Sequence, residues 1–123
     1  MFRLSVSDKK VLNFFFHVLD LIYDRLVKRT ESEIENGGIV SDFDRNFIIK
    51  LNSGGIQIDR KGELSAAAWK EIELTGTGDR YSDAVYIKSQ KLPLRFRQAL
   101  TGAQFSGRIG VAVYIRKKLE QNS

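Results

Sequence analysis

The stretch RNFIIKLNSGGIQIDRK, residues 45–61, decides the fold. Two β-rich runs flank Ser53-Gly54, and a two-residue connection between alternating runs is the signature of a hairpin. Pairing Asn52 with Gly55 sets Leu51 opposite Ile56 and Ile49 opposite Ile58. Phe47, Ile49, Leu51, Ile56 and Ile58 then share one face. A slip of one residue would turn that whole set to the other side, so turn and pattern together specify the register. The apolar face is a core face, and it needs a cover.

The cover lies upstream, in SVSDKKVLNFFFHVLDLIYDRLVKRTESEIENGG, residues 5–38. Ser5 with Asp8 makes a capping-box-like helix start, and Gly37 is a natural stop. Lys28 and Arg29 favour an end near residue 29, because Glu31, Glu33 and Glu35 oppose the negative pole of a helix. The end is therefore expected between 29 and 36. Lys10, Asn13, His17, Asp20, Asp24 and Lys28 collect in a stripe about 80° wide. Apolar side chains fill most of the remaining circumference, roughly twice the arc of about 100° that an ordinary surface helix carries. A sheet covers one side only, so the same helix from a second subunit is expected on the other. Phe14, Phe15, Phe16 and Trp69 are the candidates for that interface, or for lining a small hydrophobic-ligand pocket beneath the helix of a cone-like α+β fold.

The hairpin's other face offers an alternative chemistry. Its register gathers Asp44, Asp59 and Lys61 near the open end. Two carboxylates and a lysine, with Asp-x-Lys on a strand, are the donor set by which a nuclease holds Mg²⁺ and orients water. That is the one reading under which a cofactor, Mg²⁺, is expected. No cysteine is present, and His17 is the single histidine. Thiolate chemistry and any site built from two imidazoles of one chain are thereby excluded. The Gly76 and Gly78 loop lacks a Gly-Lys-Ser/Thr sequence, so a mobile turn is expected rather than a phosphate cradle.

The last third is distinguished by charge. Between Asp83 and Glu120 no carboxylate occurs, while eight basic side chains do. AVYIKS (84–89) and GRIGVAVYIRKK (107–118) alternate as strands do, and LPLRFRQALTG (92–102), with Pro93 near its start and Gly102 as a stop, reads as a short helix near 93–101. If the two strands are neighbours, Tyr86, Lys88, Arg108, Tyr114 and Arg116 form one exposed basic face with two flat rings. Lys91, Arg95, Arg97, Lys117 and Lys118 would rim it. Cations for phosphate and rings for stacking suit single-stranded nucleic acid, and also another anionic partner.

The expected architecture is one α+β domain over 1–123. A long N-terminal amphipathic helix packs on a mainly antiparallel sheet of four to six strands, with the short helix near 93–101. The expected function is a small non-enzymatic binding or accessory protein, homodimeric, with a basic C-terminal surface for an anionic partner, nucleic acid first. The run VLNFFFHVLDLIYDRLV, 11–27, is broken by polar and charged residues, so neither a membrane span nor a signal sequence is expected. A cytoplasmic location follows as an expectation.

Overall fold

The computed structural model describes residues 6–78, 83–93 and 98–121. Helix α1, Val6–Glu35, opens the chain. Strands β1 (Ile39–Val40), β2 (Phe47–Asn52), β3 (Gly55–Arg60) and β4 (Glu63–Ala68) follow. After a 3₁₀ turn at Trp69–Glu71 come β5 (Glu73–Thr77), β6 (Ala84–Lys88) and β7 (Gln98–Thr101). A second 3₁₀ turn at Gly102–Phe105 leads to helix α2, Val111–Gln121. The fold is α+β, with antiparallel sheets of order β1-β2-β3-β4 and β5-β6-β7.

The hairpin keeps the register its turn dictates. Asn52 faces Gly55, Leu51 faces Ile56 and Ile49 faces Ile58. The Asn52 Oδ1 accepts the Gly54 and Gly55 amides at 2.8 and 3.1 Å, so the side chain itself closes the turn. Ile49, Leu51, Ile56 and Ile58 are buried in a core shared with Ile34 of α1, Val85 and Ile87 of β6, Leu100 of β7, and Val111 and Ile115 of α2. Trp69 is in the same core, edge-on to Tyr114, with its indole N–H donating to the Ser53 carbonyl at 3.0 Å.

Helix α1 ends at Glu35, inside the expected range. The Gly38 amide reaches back to the Glu33 carbonyl at 3.1 Å, a Schellman closure that Gly37 and Gly38 permit by holding φ of 130° and 90°. The Ser5 cap lies outside the described residues.

The expected antiparallel sheet of four to six strands is the four-stranded one, and a second sheet of three strands accompanies it. Two expectations are corrected. First, the described part of 93–101 is not helical. Gln98–Thr101 is β7, with Leu100 facing Val85 across the ladder, and residues 94–97 lie outside the described set. Second, the strand expected over 107–118 is not formed, and from Val111 the chain is α2. Ile109, Val111, Val113 and Ile115 alternate, but Val111, Tyr114, Ile115 and Leu119 also recur at helical spacing, and with Ala112 they are the side chains that α2 buries. The helix is selected by tertiary context, because its cap comes from Asp83. That carboxylate accepts the Gly110 and Ala112 amides at 3.3 and 3.0 Å.

Helix α1 meets this assembly with only its C-terminal third. Thr30 and Ile34 are buried, and Leu26 and Val27 half-buried. Gly110, at φ 96°, lets the start of α2 come against Val27, where a Cβ would sit only 3.0 Å from the Val27 Cα.

Candidate interaction surfaces

The charge gap is answered within the chain. Lys88 pairs with Glu73 at 3.4 Å, and Lys91 pairs with Glu71. Arg108 meets Glu33 at 2.7 Å and also donates to the Phe105 carbonyl at 3.1 Å. Arg116 faces Glu120 at 4.0 Å, Lys117 faces Glu31 at 3.8 Å, and Lys118 faces Glu35 at 3.2 Å. Arg95 and Arg97 lie outside the described residues. Glu31, Glu33 and Glu35, which look misplaced at a helix end, therefore stand opposite the cations of α2 and of the loop before it.

Tyr114 belongs to the same junction. Its ring is buried, and its hydroxyl donates to Glu35 at 2.9 Å with the Lys118 ammonium 5.5 Å from the ring centre. Burial, followed by the neighbouring Glu35, pushes the phenol well above its ordinary range. The Tyr114 hydrogen bond, helped by Lys118, holds the Glu35 carboxyl below the usual carboxylate range. Tyr114 is thus not an exposed stacking ring. Tyr86 and Lys88 sit on β6, whereas Arg108 precedes α2 and Arg116 lies on it, so the expected single basic sheet face is not assembled.

Two further carboxylates serve the framework. Asp42 accepts the Ser106 hydroxyl at 2.6 Å and its amide at 3.2 Å, and these bonds lower its proton affinity. They tie the β1–β2 connection to the turn before α2. Glu71 is held low by Lys91 and by the Ala68 amide, which it accepts at 2.9 Å.

The hairpin triplet is taken up by turns. Asp44 accepts the Asn46 amide and Asp59 accepts the Gly62 amide, each at 2.8 Å. Lys61 occupies the β3–β4 turn at φ 53°, with its amide donating to the Asn46 carbonyl at 3.2 Å. The three residues are brought to one end of the hairpin, but no ion pair joins Lys61 to either carboxylate among the described residues. No group of three metal-ligating side chains forms among the described residues either.

The largest apolar surface is on α1. Phe14, Phe15 and Phe16 are 70, 55 and 57% exposed, and Val11, Leu21 and Ile22 are 64, 51 and 48% exposed. From Asp8 to Arg25 every residue but the half-buried Val18 is exposed, so among the described residues little covers this part of the helix. Trp69 is buried in the core against Tyr114, whereas Phe14–Phe16 are exposed, so the four do not form one surface. No helix among the described residues is long and apolar enough to cross a membrane. Compared with family models, curated proteins and solved structures, the chain matches none.

Proposed function

We propose that this is a non-enzymatic accessory protein that works as a homodimer through α1. One observation carries the reading: over residues 8–25 every side chain but that of the half-buried Val18 is exposed, while the stretch retains the composition of a core. Exposed contiguous apolar patches of more than a few hundred Å² mark interaction sites in soluble proteins. Three phenylalanines at 55–70% exposure leave on the order of 350 Å² open. With their aliphatic and tyrosine neighbours, the patch reaches roughly the 800 Å² per partner of a standard interface. Sedimentation equilibrium of the chain and of its Phe15→Glu variant tests this. The expected result is twice the 14.0 kDa chain mass for the first and 14.0 kDa for the second. A single-chain mass for both at micromolar concentration contradicts it.

A second reading, an anionic partner at the C-terminal third, is favoured by the openness of the ion pairs there. The side chains of Lys88, Arg116 and Lys117 are 46–55% exposed. Such pairs contribute about 0–1 kcal/mol, little enough for a polyphosphate to displace them. Lys70 and Lys118 also border a shallow groove of about 390 Å³ beside Ser53-Gly54. Anisotropy of a labelled single strand across a salt series tests this, with a log–log slope of about 0.7 per phosphate engaged. No binding at low salt removes it.

A further inference from the structure

The uncovered part of α1 carries a pattern more specific than apolar excess. Phe15 and Ile22 stand seven residues apart, Val11 and Val18 likewise, and the four alternate at steps of four and three. These are the two core positions of a heptad repeat. Extending the repeat by one step at each end places Asp8 and Arg25 at the same two positions. The seam therefore runs Asp8, Val11, Phe15, Val18, Ile22, Arg25, apolar through its middle and oppositely charged at its two tips.

We infer that α1 pairs with the α1 of a second copy in antiparallel orientation, with the twofold axis passing between Phe16 and His17. The inference rests on the dimer reading above and adds its geometry. In this register Phe15 meets the mate's Val18, Val11 meets the mate's Ile22, and Asp8 meets the mate's Arg25. The twofold operation repeats each contact, as an isologous interface requires. The flanking positions agree. Leu12 falls beside the mate's Leu19 on one side of the seam, and Phe14 falls beside the mate's Leu21 on the other.

Two independent features select this arrangement. A parallel pair would stack Asp8 on Asp8 and Arg25 on Arg25, two like-charge layers in a seam where such contacts are unfavourable. The antiparallel pair turns both into opposite-charge layers. The second feature is length. The overlap covers residues 8–25, about 27 Å of helix, and it stops where Leu26 and Val27 enter the chain's own core. The seam thus uses the uncovered part of the helix without intruding on the covered part. The two folded units stand at opposite ends of a central helical pair.

Charge exchange tests the register. Asp8→Arg and Arg25→Asp, made singly, each create two like-charge layers and are expected to raise the dimer dissociation constant about tenfold. Asp8→Arg combined with Arg25→Asp recreates the opposite-charge layers and is expected to return it to within about threefold of the starting value. Both sites are exposed and distant from the core, so the folded unit is expected to keep its urea midpoint. A second measurement uses the absence of cysteine. Under mild oxidation Val11→Cys mixed with Ile22→Cys is expected to give a disulfide-linked heterodimer, and neither variant alone is expected to cross-link. Single variants that cross-link with themselves, or a double exchange that fails to rescue an intact dimer, overturn the antiparallel register and leave the dimer standing. A single-chain mass for the unaltered protein overturns both.

Discussion

One helix behaves as two objects. From Leu26 to Glu35, α1 has Thr30 and Ile34 in the core and its glutamates against Arg108, Lys117 and Lys118. From Asp8 to Arg25 the same helix is exposed at every residue but the half-buried Val18, with Phe14 70% exposed. The difference shows that helical continuity does not transmit coverage. An 18-residue helical segment in water is only marginally stable, since most helical stability in proteins comes from packing an apolar face. The inner part has its packing from the chain. The outer part has the composition for packing, and among the described residues no surface receives it.

The sharpest contrast comes from truncating one phenylalanine in each region. Phe105→Ala removes a fully buried ring and is expected to cost about 3–5 kcal/mol in urea unfolding. Phe15→Ala, with its ring 55% exposed, is expected to leave the urea midpoint of dilute protein unchanged. A comparable loss at Phe15 would mean that the outer helix is already part of the core.

Interface disruption comes next in size. Phe15→Glu is expected to weaken self-association by about 2–4 kcal/mol, the range of a central interface anchor. Unaltered association in a concentration series would locate the interface elsewhere.

A smaller effect concerns the junction itself. Asp83→Ala deprives α2 of its cap and is expected to lower stability by about 1 kcal/mol, leaving dimer affinity unchanged. Urea unfolding of a monomeric Phe15→Glu background separates the two quantities.

The smallest effect is a pH dependence confined to the inner region. Glu35, Asp42 and Glu71 all have lowered carboxyl proton affinity in the folded chain, chiefly from Tyr114, Ser106 and Lys91 respectively. Carboxyls of this kind stabilise the fold above the ordinary carboxylate range near pH 4, and that contribution is lost as pH falls through their folded values. Because Glu35 and Asp42 are exposed and Glu71 is partly so, the expected change is small. Urea midpoints are expected to be level from pH 7 to 5 and to decline below about pH 4. Tyr114→Phe, which removes the leading cause at Glu35, is expected to shallow that decline. A decline already between pH 7 and 5 would contradict this assignment to the three carboxyls.

What could be read from sequence divides along physical lines. The β2–β3 register was legible because turn and alternation are local and agree. The presence of α1 was legible too, but Lys28 and Arg29 favoured an end near 29 while the helix runs to Glu35. The purpose of Glu31, Glu33 and Glu35 was not legible, since their cations lie some 75 residues onward at Arg108 and beyond. Those complementary charge runs were a signal in the sequence. Had the acidic run been set against the basic gap, helix α2 beside α1 would have followed. The helix α2 itself was obscured by β-branched residues at alternate positions and by a cap supplied from Asp83, on another element. Strand β7 was hidden by Pro93 and Gly102, which frame a helix as readily as a turn and a short strand. The exposed apolar helix was legible as an excess of apolar arc; its seam needed the knowledge of where the core takes over.

Hydrogen exchange of the α1 amides, followed against protein concentration, tests the central claim most directly. If a second copy covers the outer helix, protection of residues 11–23 is expected to rise with concentration while that of β2, β3 and α2 stays constant. Fast exchange of 11–23 at every concentration, alongside a protected β2–β3 hairpin, would contradict it.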